Sequence, residues 1–163
     1  MRKLAALLFG AAVCINLPAQ ADQRAAAGFA ATQNAKTNLR HAQQIINAYR
    51  RSRGLAPLTL DARLTAAAQA HASDMARHDT MSHTVSYGGL PRRMALAGLR
   101  PRLAAENVSV GYRTASRAIA GWQRSAAHNR NLLMPAVSHM GLAVAYQPQS
   151  RYKYYWTLIL AAE

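Results

Sequence analysis

The chain has 163 residues, a formal net charge of +14 and a single cysteine, Cys14. This length suits one domain that can bury a core without cross-links, and one cysteine excludes an internal disulfide framework. The excess of positive charge predicts an attraction to polyanions.

The N-terminus has the pattern of an export signal. Its first residues are basic, residues 4–17 form an apolar run shorter than the ~20 residues of a membrane span, and an A-x-A pattern ends at Ala21. We assign residues 1–21 to a signal peptide, with a membrane anchor as the alternative, and expect export to the periplasm or beyond the cell. Residues 22–35 lack apolar periodicity and are predicted to be a mobile arm before the folded domain, residues 36–163.

Apolar residues at helical spacing predict four helices. The first ends at Gly54, the second begins at a cap formed by Asp61, the third covers residues 90–97, and the fourth opens at Thr114 or Ser116.

Residues rich in β-branched and aromatic side chains predict the strands. Glu106–Val110 is one candidate, and Gly141–Tyr146 and Tyr152–Leu160 form an antiparallel hairpin around a turn at Gln147–Ser150. Several helices before a small C-terminal sheet indicate an α+β fold, with the helices packed against an antiparallel sheet.

Glu106 is the first of two glutamates in the chain and lies among apolar neighbours, Ala104-Ala105-Glu106-Asn107-Val108. A buried carboxylate needs a cation, a metal or a protonated imidazole beside it, or its pKa must rise. The simpler alternative is a salt bridge to one of the many arginines.

Two of the six histidines are candidates for a site with Glu106. His83 and His128 lie at predicted loops or helix edges, so all three side chains can converge on a cleft, although their wide separation in sequence means that only the fold can bring them together. His71 lies on the inner face of the second helix and is interpreted as a core histidine with a satisfied hydrogen bond.

Four short motifs occur in the order found in bacterial CAP-domain proteins. The chain therefore resembles the CAP superfamily of cysteine-rich secretory proteins, venom antigens and plant pathogenesis-related proteins, in particular its short, disulfide-free bacterial branch. The motifs are Met81-Ser82-His83-Thr84, Ala105-Glu106-Asn107, Trp122-x-x-Ser125-x-x-His128 and Asn131-Leu132-Leu133.

The resemblance implies an α-β-α sandwich, with a small antiparallel sheet between helical layers and a cleft formed by His83, Glu106 and His128, with Ser125 and Asn107 beside them. Ser125 stands where the eukaryotic pattern has a second glutamate. Two imidazoles and one carboxylate remain enough for an open zinc site, with these three residues as the metal ligands. The alternative is that Glu106 hydrogen-bonds both histidines and braces the cleft.

The resemblance favours an exported binding protein over an enzyme, with a lipid, another small molecule or an anionic envelope component as its ligand. A hydrolase, either a peptidase or an esterase, that uses Glu106 or a histidine on water, with or without a metal, is the alternative. Nucleic acid is not an expected partner, because export removes it and no recognition motif occurs.

The outer face of the fourth helix carries two arginines seven residues apart, Arg117 and Arg124. They are the candidate contact for polyanions, including a peripheral contact with a membrane surface. The alternative is that they are simply solvated. We expect the protein to be a monomer.

Overall fold

The structure is a computed structural model and describes residues 38–162. The predicted signal peptide and N-terminal arm lie outside the described residues. Within residues 38–162, no helix is long and apolar enough to cross a membrane.

The described residues form an α+β domain in which helices surround a four-stranded sheet, as predicted. The elements are α1 (38–51), β1 (Thr59–Leu60), α2 (Ala62–Arg77), α3 (Leu90–Leu96), β2 (Leu103–Val110), α4 (Ala115–Arg124), α5 (Ala126–Leu132), β3 (His139–Tyr146) and β4 (Tyr154–Ala162).

The strand order in the sheet is β1-β3-β4-β2. The predicted hairpin of β3 and β4 is antiparallel, and β2 pairs antiparallel with the other edge of β4. Beyond this antiparallel core, the two residues of β1 pair parallel with β3, which makes the sheet mixed. The turn is longer than predicted: Lys153 adopts a left-handed conformation, and β4 begins at Tyr154, two residues after the predicted start at Tyr152.

Successive residues of β4 point to opposite faces of the sheet and so belong to two different cores. Leu158 and Leu160 pack with Ile46 of α1 and Trp122 of α4. The next residue in the strand, Ile159, packs on the other face with residues of α2 and α3. Helices therefore cover both faces, which confirms the α-β-α sandwich.

Local sequence explains where the helices begin. The Asp61 side chain accepts hydrogen bonds from the backbone nitrogens of Arg63 (2.7 Å) and Leu64 (2.9 Å) and caps α2 as predicted. Of the two candidate caps for α4, the structure selects Thr114. Helix α5 was not predicted; it follows α4 with Ser125 as the shared boundary residue.

Helix α2 lies unusually close to β3 at Gly141. A Cβ atom at this position would stand 2.2 Å from the carbonyl carbon of Leu64 and 2.3 Å from the backbone nitrogen of Thr65. Because both atoms belong to the backbone, neither can move aside without shifting the helix. Gly141 therefore sets the distance between α2 and the sheet.

We predict that Gly141→Ala lowers the free energy of unfolding by about 1–3 kcal/mol or more, because the added methyl group forces α2 away from β3. Urea denaturation followed by circular dichroism measures the change. Gly89→Ala is the matched control, since its Cβ would meet its nearest neighbours at 3.8 Å, an ordinary contact. Equal effects of the two substitutions would contradict the proposed role of Gly141.

Candidate functional site

The candidate site is centred on the Glu106 carboxylate, which β2 carries into the interior. Its two oxygens both accept hydrogen bonds from Nη2 of Arg93, each at 2.8 Å. The side chains of both residues are more than nine-tenths buried. Of the explanations for a buried glutamate, the salt bridge to an arginine is therefore the one found, and the partner comes from α3.

Arg93 also fixes the loop that precedes α3. Its Nε donates to the carbonyl of Gly88 (3.1 Å), and Nη2 approaches the carbonyl of His83 at 3.4 Å. One guanidinium group thus connects α3, the loop carrying His83 and the carboxylate on β2. Arg93 was not among the predicted site residues; the available signal for it was a single glutamate among apolar residues in an arginine-rich chain.

His83 reaches the carboxylate as predicted. Its Nδ1 lies 2.8 Å from Oε1 of Glu106, and the side chain is 55% exposed. Because a carboxylate oxygen accepts, Nδ1 carries the hydrogen. An imidazole oriented in this way by a carboxylate is typical of a general base. However, Glu106 also accepts two bonds from Arg93, so its own oxygens are poorly placed to take a proton from water.

His71 is a core histidine, as predicted, and it adjoins the same carboxylate. It is 1% exposed, and its Nε2 lies 2.9 Å from the carbonyl oxygen of Ser82 and 3.8 Å from Oε1 of Glu106. Burial lowers the pKa of His71, although the nearby carboxylate acts to raise it. The ring is therefore neutral near pH 7.

His128 lies in α5, which packs against β2. Its backbone carbonyl accepts a hydrogen bond from the side chain of Asn107 (3.0 Å), which in turn accepts one from Asn131 (2.9 Å). Burial lowers the pKa of His128, and the charge of His83 lowers it further. Asn107 thus holds α5 against β2 through the backbone of His128.

The last member of the predicted cleft is Ser125, at the junction of α4 and α5. Its backbone nitrogen donates to the carbonyl of Trp122 at 3.2 Å, and its own carbonyl accepts from Asn129 at 2.8 Å. Both contacts belong to the turn between the two helices. The structure therefore assigns Ser125 a place in the helix boundary.

The side chains present do not fit the zinc ion that the resemblance implies. Both oxygens of Glu106 accept from Arg93, and His83 occupies one of them as well. Across residues 38–162, no three His, Cys, Asp or Glu side chains are grouped so that they could hold a metal ion. A cation brought to this carboxylate would also lie next to the Arg93 guanidinium, which repels it.

An apolar groove lies between α2 and α3, beside the buried ion pair. Its volume is about 520 Å³. Three alanines of α2 and two residues at the end of α3 form its apolar walls: Ala66, Ala67, Ala70, Leu96 and Ala97. Four larger polar or aromatic residues also line it: Arg63, His71, Tyr87 and Arg93. This groove was not predicted, because small residues on a helix are as typical of close packing as of an open groove.

The described residues thus form an α-β-α sandwich of the CAP type, with a His–Glu pair between the edge strand β2 and the loop before α3. The model of the family described as CAP, the cysteine-rich secretory protein family, matches residues 43–160. The chain belongs to this family, which confirms the resemblance found in its sequence.

Relatives in bacteria share this domain. The chain is 31% identical to the uncharacterized protein YkwD of Bacillus subtilis over 100 residues, which cover 61% of this chain and 39% of YkwD. It is also 31% identical over 101 residues to the uncharacterized membrane protein YlbC of the same bacterium, covering 61% of this chain and 29% of YlbC. The chain thus spans well under half the length of either relative.

Solved structures show the same fold. An extracellular protein with an SCP domain from Bacillus anthracis superposes with a TM-score of 0.70 at 23% identity, covering 78% of this chain and 41% of that one. An outer surface protein from Borrelia burgdorferi gives a TM-score of 0.71 at 17% identity and covers 78% and 94% of the two chains.

We predict that Arg93→Met and Glu106→Leu each lower the free energy of unfolding by about 3–5 kcal/mol, because each leaves a buried charge unpaired. The double variant removes both charges, so its loss should be smaller than the sum of the single losses. Urea denaturation measures all three variants. Arg92→Met, at the exposed neighbouring position, is the control and should change stability by less than about 0.5 kcal/mol. Additive losses would contradict a direct ion pair.

Proposed function

We propose that this chain is an exported binding protein that holds a small apolar ligand in the groove between α2 and α3. The observation that carries the proposal is the groove itself: its volume of about 520 Å³ falls within the roughly 300–1,000 Å³ of small-molecule sites, and its apolar walls adjoin a few buried polar groups. Export is supported by the pattern of the first residues, and by the extracellular and outer-surface descriptions of the two solved neighbours.

Two features favour binding over hydrolysis. The Glu106 carboxylate is neutralised by Arg93, so it is a weak candidate for a general base. The groove is lined mainly by alanines and Leu96, and the other residues of its lining include no serine, threonine or cysteine that could act as a nucleophile. Both features suit a site that holds a molecule without reacting with it.

We predict that Ala70→Trp weakens binding of an apolar fluorescent probe by more than about tenfold. The indole ring would occupy the volume that the probe needs. Titration of the purified protein with the probe measures this. Ala62→Trp is the matched control, since Ala62 is also exposed on α2 but lies away from the groove. If both variants bind the probe like the wild type, the groove is not the ligand site.

A second proposal concerns the outer face of α4, which we infer to bind anionic envelope material. Arg117 and Arg124 are both exposed on this helix, and the whole chain carries a charge of +14. Arginine is well suited to phosphate and carboxylate contacts. Neither arginine lines the groove, so a contact made through them does not require the groove.

We predict that the protein is retained on vesicles containing an anionic phospholipid and is released by salt. The screening length falls from about 8 Å at ~0.15 M ionic strength to about 3 Å at ~1 M. Substituting Arg117→Gln and Arg124→Gln together should reduce retention at the lower salt, whereas Ala70→Trp should leave it unchanged. Retention that is insensitive to salt and to the arginine substitutions would reject this surface.

A further inference from the structure

The tip of the β3–β4 hairpin, residues 146–154, combines aromatic and basic side chains at the protein surface. Its three rings are those of Tyr146, Tyr152 and Tyr154, and its two cations are Arg151 and Lys153. Tyr146 is 58% exposed, and both cations are exposed. Tyrosine and arginine are enriched where proteins bind other molecules. The composition of the hairpin tip thus indicates an interaction surface.

Hydrogen bonds fix the backbone of the hairpin tip. The hydroxyl of Ser150, a buried residue, donates to the carbonyl of Gln147 and accepts from the backbone nitrogen of Lys153, both at 3.0 Å. From the loop after α2, the Asp79 carboxylate accepts from the backbone nitrogen of Arg151, which lies 3.1 Å from each of its oxygens. Because this loop is already ordered, a partner that binds to it does not have to order it at a cost in entropy.

Two of the rings form a pair on one face of the hairpin. Tyr146 and Tyr154 lie directly opposite each other in the two strands, and their ring centroids are 4.8 Å apart with planes tilted by 41°. Tyr154 also packs against the core beneath α1 and α4, so it supports the more exposed ring of Tyr146. The exposed part of this pair is an aromatic surface on which another ring can stack.

The third ring lies on the other face of the hairpin. Tyr152 contacts the ring of Tyr155 edge-on, with centroids 6.2 Å apart, and Tyr155 points to the opposite face from Tyr154. The guanidinium of Arg151 lies over the Tyr152 ring, 5.2 Å from its centroid. A molecule that contacts both aromatic faces must cross the hairpin tip. An extended polymer therefore fits this surface better than a compact ligand.

The charge of the hairpin tip is positive. Arg151 and Lys153 are cations, and the acid in contact with the tip is Asp79. Its carboxylate already accepts from the backbone of Arg151 and from the hydroxyl of Tyr155, and it offsets the charge of one of the two cations. The remaining positive charge favours an anionic partner, which the charge of +14 on the whole chain also attracts.

The residues at the end of the hairpin favour a hydrated polymer over a membrane. They are Gln147, Pro148 and Gln149, and none has a long apolar side chain of the kind that enters a lipid layer. The two primary amides can donate and accept hydrogen bonds, as sugar hydroxyls do. Tyrosine rings also stack on the C–H faces of sugar rings. The chemistry of this surface is therefore that of a polysaccharide-binding site.

We propose that the hairpin tip binds an anionic polysaccharide. Sugar rings stack on Tyr146 and Tyr152, and the carboxylate or phosphate groups of the polymer pair with Arg151 and Lys153. The site uses no residue of the groove and neither arginine of α4, so it does not depend on the functions proposed for them.

The test uses polygalacturonate, an unbranched polymer of uronate sugars, and isothermal titration calorimetry at ~0.15 M ionic strength. Because a chain of charge +14 attracts any polyanion, the decisive variants leave the charge unchanged. Tyr146→Ser should weaken binding by about fivefold, whereas Tyr146→Phe, which keeps the ring, should bind like the wild type. Tyr87→Ser is the matched control and should also bind like the wild type, since Tyr87 is 49% exposed but lines the groove. Equal affinities of Tyr146→Ser and wild type, or no binding by either, would overturn the proposal.

A second set of measurements tests the charges and the class of partner. Substituting Arg151→Gln and Lys153→Gln together should weaken binding to the polysaccharide by about three- to tenfold. Single-stranded DNA and vesicles of an anionic phospholipid should bind Tyr146→Ser and wild type alike. If Tyr146→Ser loses as much affinity for either of them as for the polysaccharide, the assignment to a polysaccharide is wrong. The Arg117→Gln, Arg124→Gln variant should keep the difference between Tyr146→Ser and wild type, so failure of the α4 surface and failure of the hairpin tip are distinguishable.

Discussion

The buried ion pair of Arg93 and Glu106 is the constraint on which the site depends. Each charge loses most of its hydration in the interior, and the other compensates that loss at 2.8 Å. Because the two residues come from α3 and β2, neither element can move away without exposing an unpaired charge. The pair also fixes His83, whose ring and carbonyl contact its two members. A local charge balance thus holds together α3, the loop that precedes it and strand β2.

Local rules predicted most of the fold. The cap at Asp61 and the apolar spacing in α1, α2 and α4 depend on neighbouring residues, as does the hairpin, and the structure contains each of them. Strand β1 was missed because two residues show no periodicity and its partner, β3, lies far along the chain. Helix α5 was missed because seven residues separated from α4 by Ser125 alone give too short a pattern.

The site was predictable to a smaller extent. The motif resemblance brought His83 and Glu106 together, and the structure places them in contact. Periodicity placed His71 in the core but gave no sign that it adjoins the same carboxylate. Arg93 was missed because the sequence offers seventeen arginines as possible partners of Glu106. Only the fold, which places α3 beside β2, shows which of them forms the ion pair. The groove forms where α2 and α3 come together in the fold, so no single residue or local pattern in the sequence indicates it.

The close approach at Gly141 has a mechanical consequence for the groove. At Gly141, the backbone of α2 lies against the backbone of β3 with no side chain between them, so the helix cannot move closer to the sheet at this point. The opposite wall is the seven-residue α3, which is anchored in the interior through Met94 and Arg93. The two walls are thus held in different ways, α2 by backbone contact with β3 and α3 by the pairing of its arginine with β2.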